Sequence, residues 1–136
     1  MRTILLLEDD LYEARLVTRL MEHEGYRVLH APDAITGLEL IESVRPDIIL
    51  LDLGLPDMDG QTVAALLKNN PDLDEIPVVA VTAWPPDTAR QMAKAYGCDG
   101  YISKPMTSLK KLGNLTPRRK DAKNFKLLIN FDYEKH

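Results

Sequence analysis

Apolar positions along this chain follow two alternating periods. Residues 3–7 (TILLL) form a short apolar run with the composition of a buried strand. Leu16, Val17, Leu20 and Met21 then recur at helical spacing, and Gly25 supplies a helix stop before Tyr26. Residues 27–31 read as a second, weaker strand. Asp33 is placed to cap a helix whose inner stripe is Ala34, Gly37, Leu38 and Ile41, with Pro46 ending it. Residues 47–51 are the most strongly apolar strand. Gly54, Pro56, Asp57, Asp59 and Gly60 carry the turn chemistry of a loop, and Val63, Ala64 and Leu67 mark the next helix. Pro77 precedes a strand at 78–81. Ala89, Met92, Ala93 and Tyr96 mark a helix that Gly97 closes, and residues 100–103 make a last short strand before Lys104 and Pro105. This alternation predicts an α/β domain with a doubly wound parallel sheet covered by helices on both faces. Ligands of such sheets bind beyond the carboxyl ends of the strands.

The predicted strand ends carry an unusual set of side chains. Glu8, Asp9 and Asp10 follow the first strand, Asp52 the third, Thr82 the fourth and Lys104 the fifth. Clustered carboxylates repel one another unless a cation sits among them. Hard oxygen donors with positions left for water suit Mg²⁺. A Mg²⁺ beside an ammonium and a hydroxyl is a place to stabilise a phosphoryl group, and a carboxylate can itself be the nucleophile that accepts one. Each residue alone has an ordinary explanation: Asp9 or Asp10 as a helix N-cap, Asp52 as a turn residue, Thr82 as structural, Lys104 as surface. Their joint occurrence at four strand ends carries the functional reading.

The stretches LLLEDD, PDIILLDLGLPDMDG, IPVVAVTA and GYISKP, in this order across residues 3–107, resemble response-regulator receiver domains of two-component signalling. Among receivers they look most like stand-alone, single-domain regulators of the cell-division-control type. The resemblance implies a flavodoxin-like five-stranded sheet of order 2-1-3-4-5. It implies Asp52 as phosphoacceptor, loaded by a partner histidine kinase or histidine phosphotransferase. It implies Glu8 and Asp9 as the acidic pair that holds Mg²⁺ with Asp52, and the backbone carbonyl of Gly54 as a further ligand; Asp10 is a weaker candidate. Thr82 matches the switch hydroxyl and Tyr101 the switch aromatic, which turns into the space that Thr82 vacates. Lys104 would pair with a phosphoryl oxygen, and Pro105 matches a position preceded by a cis peptide. Gly54 and Trp84 lie where receivers tune hydrolysis of the aspartyl phosphate. Glycine cannot orient a water and a bulky indole can hinder one, so a long-lived phosphoryl state is expected, unless Trp84 only packs over the fourth helix.

Composition adds bounds. The 136 residues suit one domain, and 45% hydrophobic with 28% charged residues is the balance of a globular chain. No apolar run near the start is long enough for a signal peptide or a membrane span, and the single Cys98 forms no internal disulfide, so a cytoplasmic protein is expected. A net charge of −4 gives no general reason to bind nucleic acid, and the run Arg118, Arg119 and Lys120 is short enough for a solvated turn. His23 and His30 have no metal-site spacing, and Cys98 is expected to pack as a small hydrophobe.

The charge is unevenly spread. Residues 1–109 hold nine basic and eighteen acidic side chains, a net of −9, whereas 110–136 hold eight basic and three acidic, a net of +5. Both phenylalanines, Phe125 and Phe131, lie in this last part. We therefore divide the chain into a receiver domain, 1–112, and an atypical basic and aromatic tail, 113–136, with no output domain. A helix begun at 107–112, with Leu109 and Leu112 inward, would stop at Gly113 and Pro117. Beyond it, Phe125, Leu127, Ile129, Phe131 and Tyr133 alternate as in a strand. Three accounts fit: a strand added to a sheet edge, an extension serving a partner, or a disordered sequence foreign to the domain.

The expected function is a phosphoacceptor switch whose output is binding to a downstream protein effector. Self-catalysed phosphotransfer and autodephosphorylation are its sole chemistry. Alternatives are a haloacid-dehalogenase-like phosphatase, which wants an acid two residues after the nucleophile where this chain has Gly54; a small flavodoxin-like nucleotide binder, for which no glycine-rich loop follows the first strand; and a receiver-like interaction domain independent of phosphate.

Overall fold

The structure, a computed structural model, describes residues 2–103. Its elements are β1 (Thr3–Leu7), α1 (Leu11–His23), β2 (Arg27–Ala31), α2 (Ala34–Val44), β3 (Ile48–Asp52), α3 (Gly60–Lys68), β4 (Val78–Thr82), α4 (Pro86–Ala95) and β5 (Gly100–Ser103). All sheet pairings are parallel and the strand order is β2-β1-β3-β4-β5, the flavodoxin-like order expected. Lys104, Pro105, the helix start at 107–112 and the alternating tail lie outside the described residues.

The two faces of the sheet separate by the period-two rule of strands. Leu5, Leu7, Ile49, Leu51, Val78, Ala80 and Tyr101 pack with Ala34, Ile41, Val63, Ala64, Leu67, Ala89 and Ala93 of α2, α3 and α4. Ile4, Leu6, Ile48, Leu50, Val79, Val81 and Ile102 form the opposite cluster with Ala14, Val17 and Met21 of α1. Every residue of β3 and β4 is buried. Burying each large aliphatic side chain is worth about 1.5–3 kcal/mol, and a one-residue slip would exchange the two faces. The register Leu7↔Leu51 and Asp52↔Val81 is thereby enforced, and it sets which side chains meet at the carboxyl edge.

The helix ends follow their local chemistry with two refinements. Asp10, Asp33 and Asp59 cap α1, α2 and α3 by accepting from backbone N–H groups one turn in. Gly25 and Gly97 take positive φ angles of 93° and 79° just after α1 and α4. α2, however, stops at Val44, before Pro46. Arg45 adopts a left-handed conformation (φ 54°), and its guanidinium donates to the Asp72 carbonyl at 2.8 Å. The residue before a proline is disfavoured in the helical region, which accounts for the earlier stop. Gly60, expected in a loop, is the first residue of α3. A Cβ there would run into the Leu53 side chain and stand 3.0 Å from Leu53 Cα, so glycine lets α3 start against the end of β3.

Gly60→Ala is therefore expected to lower stability by about 1–3 kcal/mol through overpacking, despite alanine's better helix propensity. Urea denaturation reads this directly; an unchanged midpoint would show that Leu53 yields without cost.

Candidate functional site

β1 and β3 are adjacent and in register, so the residues just beyond Leu7 and Leu51 emerge side by side. One carboxylate oxygen each from Glu8, Asp9 and Asp52 lies within 4.8 Å of the others. Glu8 is fully buried and Asp52 is 6% exposed, whereas Asp9 faces solvent. Asp52 Oδ1 accepts from the Gly54 N–H at 2.9 Å, and Glu8 Oε2 accepts from the Asp10 N–H at 3.2 Å. Asp10 Oδ1 accepts from the N–H groups of Tyr12 and Glu13 at 2.9 and 3.1 Å. Asp10 is thus engaged as the helix cap, and the converging acids are Glu8, Asp9 and Asp52.

The next strand contributes Thr82, which is 5% exposed. Its Oγ1 accepts from the Trp84 N–H at 3.1 Å, leaving the hydroxyl proton to be donated elsewhere. Trp84 is 41% exposed and belongs to neither core cluster, so its indole is not a core packing element. Tyr101, paired with Ala80 across β4 and β5, is buried in the cluster under α2 to α4. Gly54 sits against the Asp52 carboxylate: a Cβ there would be 3.6 Å from Asp52 Oδ1. Lys104, expected at the end of β5, lies outside the described residues; Ser103, the residue before it, is in register with Thr82.

Two supporting contacts escaped the sequence reading. His30 Nε2 lies 2.6 Å from the Glu8 carbonyl; a carbonyl only accepts, so this ring nitrogen carries the proton and braces the end of β1. Asp57, read as a turn residue, accepts from the Ala34 and Ile35 N–H groups of α2 at 2.9 and 3.0 Å. The bond from Ala34, reinforced by that from Ile35, holds its carboxyl below the ordinary carboxylate range. At the opposite edge, Lys68 pairs with Asp99 at 2.6 Å, and Asp99 also accepts from the Val78 N–H. Cys98 is buried, and burial, aided by the Asp99 charge, pushes its thiol up to about 12. It packs as a small hydrophobe, away from the acidic cluster.

The cluster offers a divalent cation three hard oxygen donors, two of them shielded from solvent and one facing it. This donor set fits a small, oxygen-loving ion that keeps part of its hydration shell.

Comparison with known proteins places the fold in a family. Residues 4–114 match the response regulator receiver domain. The chain belongs to that family. The receiver is 34% identical over 106 residues to the polar-differentiation response regulator DivK of Brucella anthropi, covering 78% of this chain and 86% of DivK. Its structure is similar to the chemotaxis response regulator CheY4 of Vibrio cholerae, with a TM-score of 0.76 and 25% identity over 85% of this chain and 96% of that one. It is also similar to the Mn²⁺-bound form of response regulator Rcp1, with a TM-score of 0.69 and 30% identity over 85% and 88% of the two chains. Among the described residues of the receiver, no helix is long and apolar enough to cross a membrane.

Mutual repulsion within the cluster sets a stability prediction. Asp9→Asn should raise the metal-free melting temperature by a few degrees, because one of three crowded negative charges is gone. It should also abolish most of the stabilisation that added divalent cation brings to the wild type. A lower metal-free melting temperature would show that Asp9 makes a favourable contact outweighing the repulsion.

Proposed function

We propose that this receiver is a phosphoacceptor switch in a two-component phosphorelay, with Asp52 as the acceptor. The convergence of Glu8, Asp9 and Asp52 at the carboxyl edge, with Thr82 delivered by the neighbouring strand, carries this reading. Mg²⁺ is the cation that the donor set suits; held by Glu8, Asp9, Asp52 and the Gly54 carbonyl, it would neutralise the acids and the charge of the incoming phosphoryl group.

The residues then divide the work. An Asp52 carboxylate oxygen attacks phosphorus on a partner's phosphohistidine. A P–O bond forms, the P–N bond breaks, and the imidazole leaves and takes up a proton. Glu8 and Asp9 supply the negative charge that retains the metal. The Thr82 hydroxyl donates to a phosphoryl oxygen, and Lys104 offers its ammonium to another. Thr82 is thereby drawn toward Asp52, and the space around Tyr101 changes, a two-state element biased by one new charge. Exposed Leu11, Tyr12, Ile35 and Trp84 all sit at helix starts or loops of this same edge, giving the acidic centre an apolar rim that suits a protein donor and a protein effector better than a free phosphate ester. A phosphatase would need an acid at position 54 to protonate a leaving group; Gly54 has none.

Intact-mass spectrometry after incubation with acetyl phosphate or phosphoramidate tests the reading. One phosphoryl adduct is expected on the wild type with Mg²⁺, and none with chelator or on Asp52→Asn. Multiple turnover of a phosphate ester without an adduct would instead identify a phosphatase. Trp84→Asn is expected to shorten the adduct's lifetime roughly three- to tenfold, a small share of what a positioned general base supplies. An unchanged decay rate would mean that the indole does not hinder the attacking water.

A further inference from the structure

The segment between Asp52 and α3 is held at several points that the phosphoacceptor chemistry alone does not require. The Leu53 N–H donates to the Val81 carbonyl at 3.0 Å, Leu55 is buried in the core, and Asp59 caps α3. Asp57 is different in kind. Its side chain is exposed, yet both carboxylate oxygens are committed to residues 23 and 22 positions earlier: Oδ1 to the Ala34 N–H and Oδ2 to the Ile35 N–H. These are the first two N–H groups of α2, where the helix presents its positive end.

α2 does not depend on Asp57 to begin. Asp33 already caps it by accepting from the Thr36 N–H at 2.8 Å. At exposed Ile35 water can satisfy the N–H in place of Asp57, whereas Ala34 is buried and its N–H relies on the carboxylate. The larger consequence of the bidentate contact falls on the loop, where it adds a polar anchor to the apolar ones that Leu53, Leu55 and Met58 make with the core. Gly54 lies between Leu53 and the buried Leu55, with Asp57 as the next anchor along the loop, and its N–H is bonded to the Asp52 carboxylate. A glycine has no side chain to hold its own position, so its neighbours must do so.

We propose that Asp57 is a positioning residue for the metal and phosphoryl site. By clamping the 53–59 loop to the start of α2, it holds the Gly54 backbone against Asp52 and keeps the site preorganised. The proposal rests on the reading of Asp52, Glu8 and Asp9 as a Mg²⁺ site.

Calorimetric titration of Mg²⁺ into the full chain tests it, with chemical denaturation run in parallel. Asp57→Ala is expected to weaken Mg²⁺ binding roughly fivefold, somewhat less than the loss typical of residues that bond a metal ligand directly. Asp57→Asn keeps one carbonyl acceptor and should recover part of the loss. Asp33→Ala removes the other cap of the same helix and should lower stability comparably while leaving the affinity within about twofold. Wild-type affinity in Asp57→Ala would overturn the proposal. An equal loss in Asp33→Ala would overturn it too, by making Asp57 a helix cap only. Should Asp57→Ala fail to fold, the same comparison between Asp57→Asn and Asp33→Ala decides. A folded wild type that binds no Mg²⁺ would refute the metal reading itself, and the positioning role with it. That outcome is distinct, because all three variants would then be equally silent.

Discussion

Three like charges gathered at one edge of a sheet are the constraint on which the structure turns. Glu8, Asp9 and Asp52 would separate if the backbone allowed it. It does not, because β1 and β3 are locked in register by aliphatic side chains buried on both faces. Core burial offsets the repulsion, and a divalent cation would relieve it. The surrounding contacts brace this arrangement: His30 holds the Glu8 carbonyl, Gly54 donates to Asp52, and Asp10 turns the chain away into α1.

The division of labour between strands and loops follows from this. Strand ends place the charged groups, since a parallel sheet delivers all its carboxyl termini to one edge. Loops then set the fine geometry, and two glycines serve different ends there. Gly60 lets α3 start against Leu53, whereas Gly54 keeps the space beside the Asp52 carboxylate open. The buried Thr82 and Tyr101 extend the site inward along β4 and β5.

Much of this was legible in the sequence because its cause is local. Apolar periodicity marked all nine described elements, and Asp33, Gly25 and Gly97 announced helix ends by their own chemistry. Strand order came from the resemblance, since alternation alone leaves the winding open. What escaped were long-range contacts made by residues with a plausible local role. Asp57 has the composition of a turn and acts on a helix 23 residues earlier. His30 lacks metal spacing yet meets a backbone carbonyl 22 residues away. Gly60 looked like a loop glycine because the approach of Leu53 is tertiary. The early stop of α2 was different in kind, for Pro46 signalled the end and its effect on Arg45 moved the boundary.

The most direct test of a preorganised acceptor at the end of β3 is the chemical identity of the modified residue. After phosphorylation by acetyl phosphate with Mg²⁺, borohydride reduces an acyl phosphate to the alcohol, and peptide mapping locates it. The account predicts homoserine at position 52 and at no other carboxylate, lost when the metal is chelated. Reduction at Glu8, Asp9 or Asp10, or label on a histidine or a hydroxyl, would contradict it.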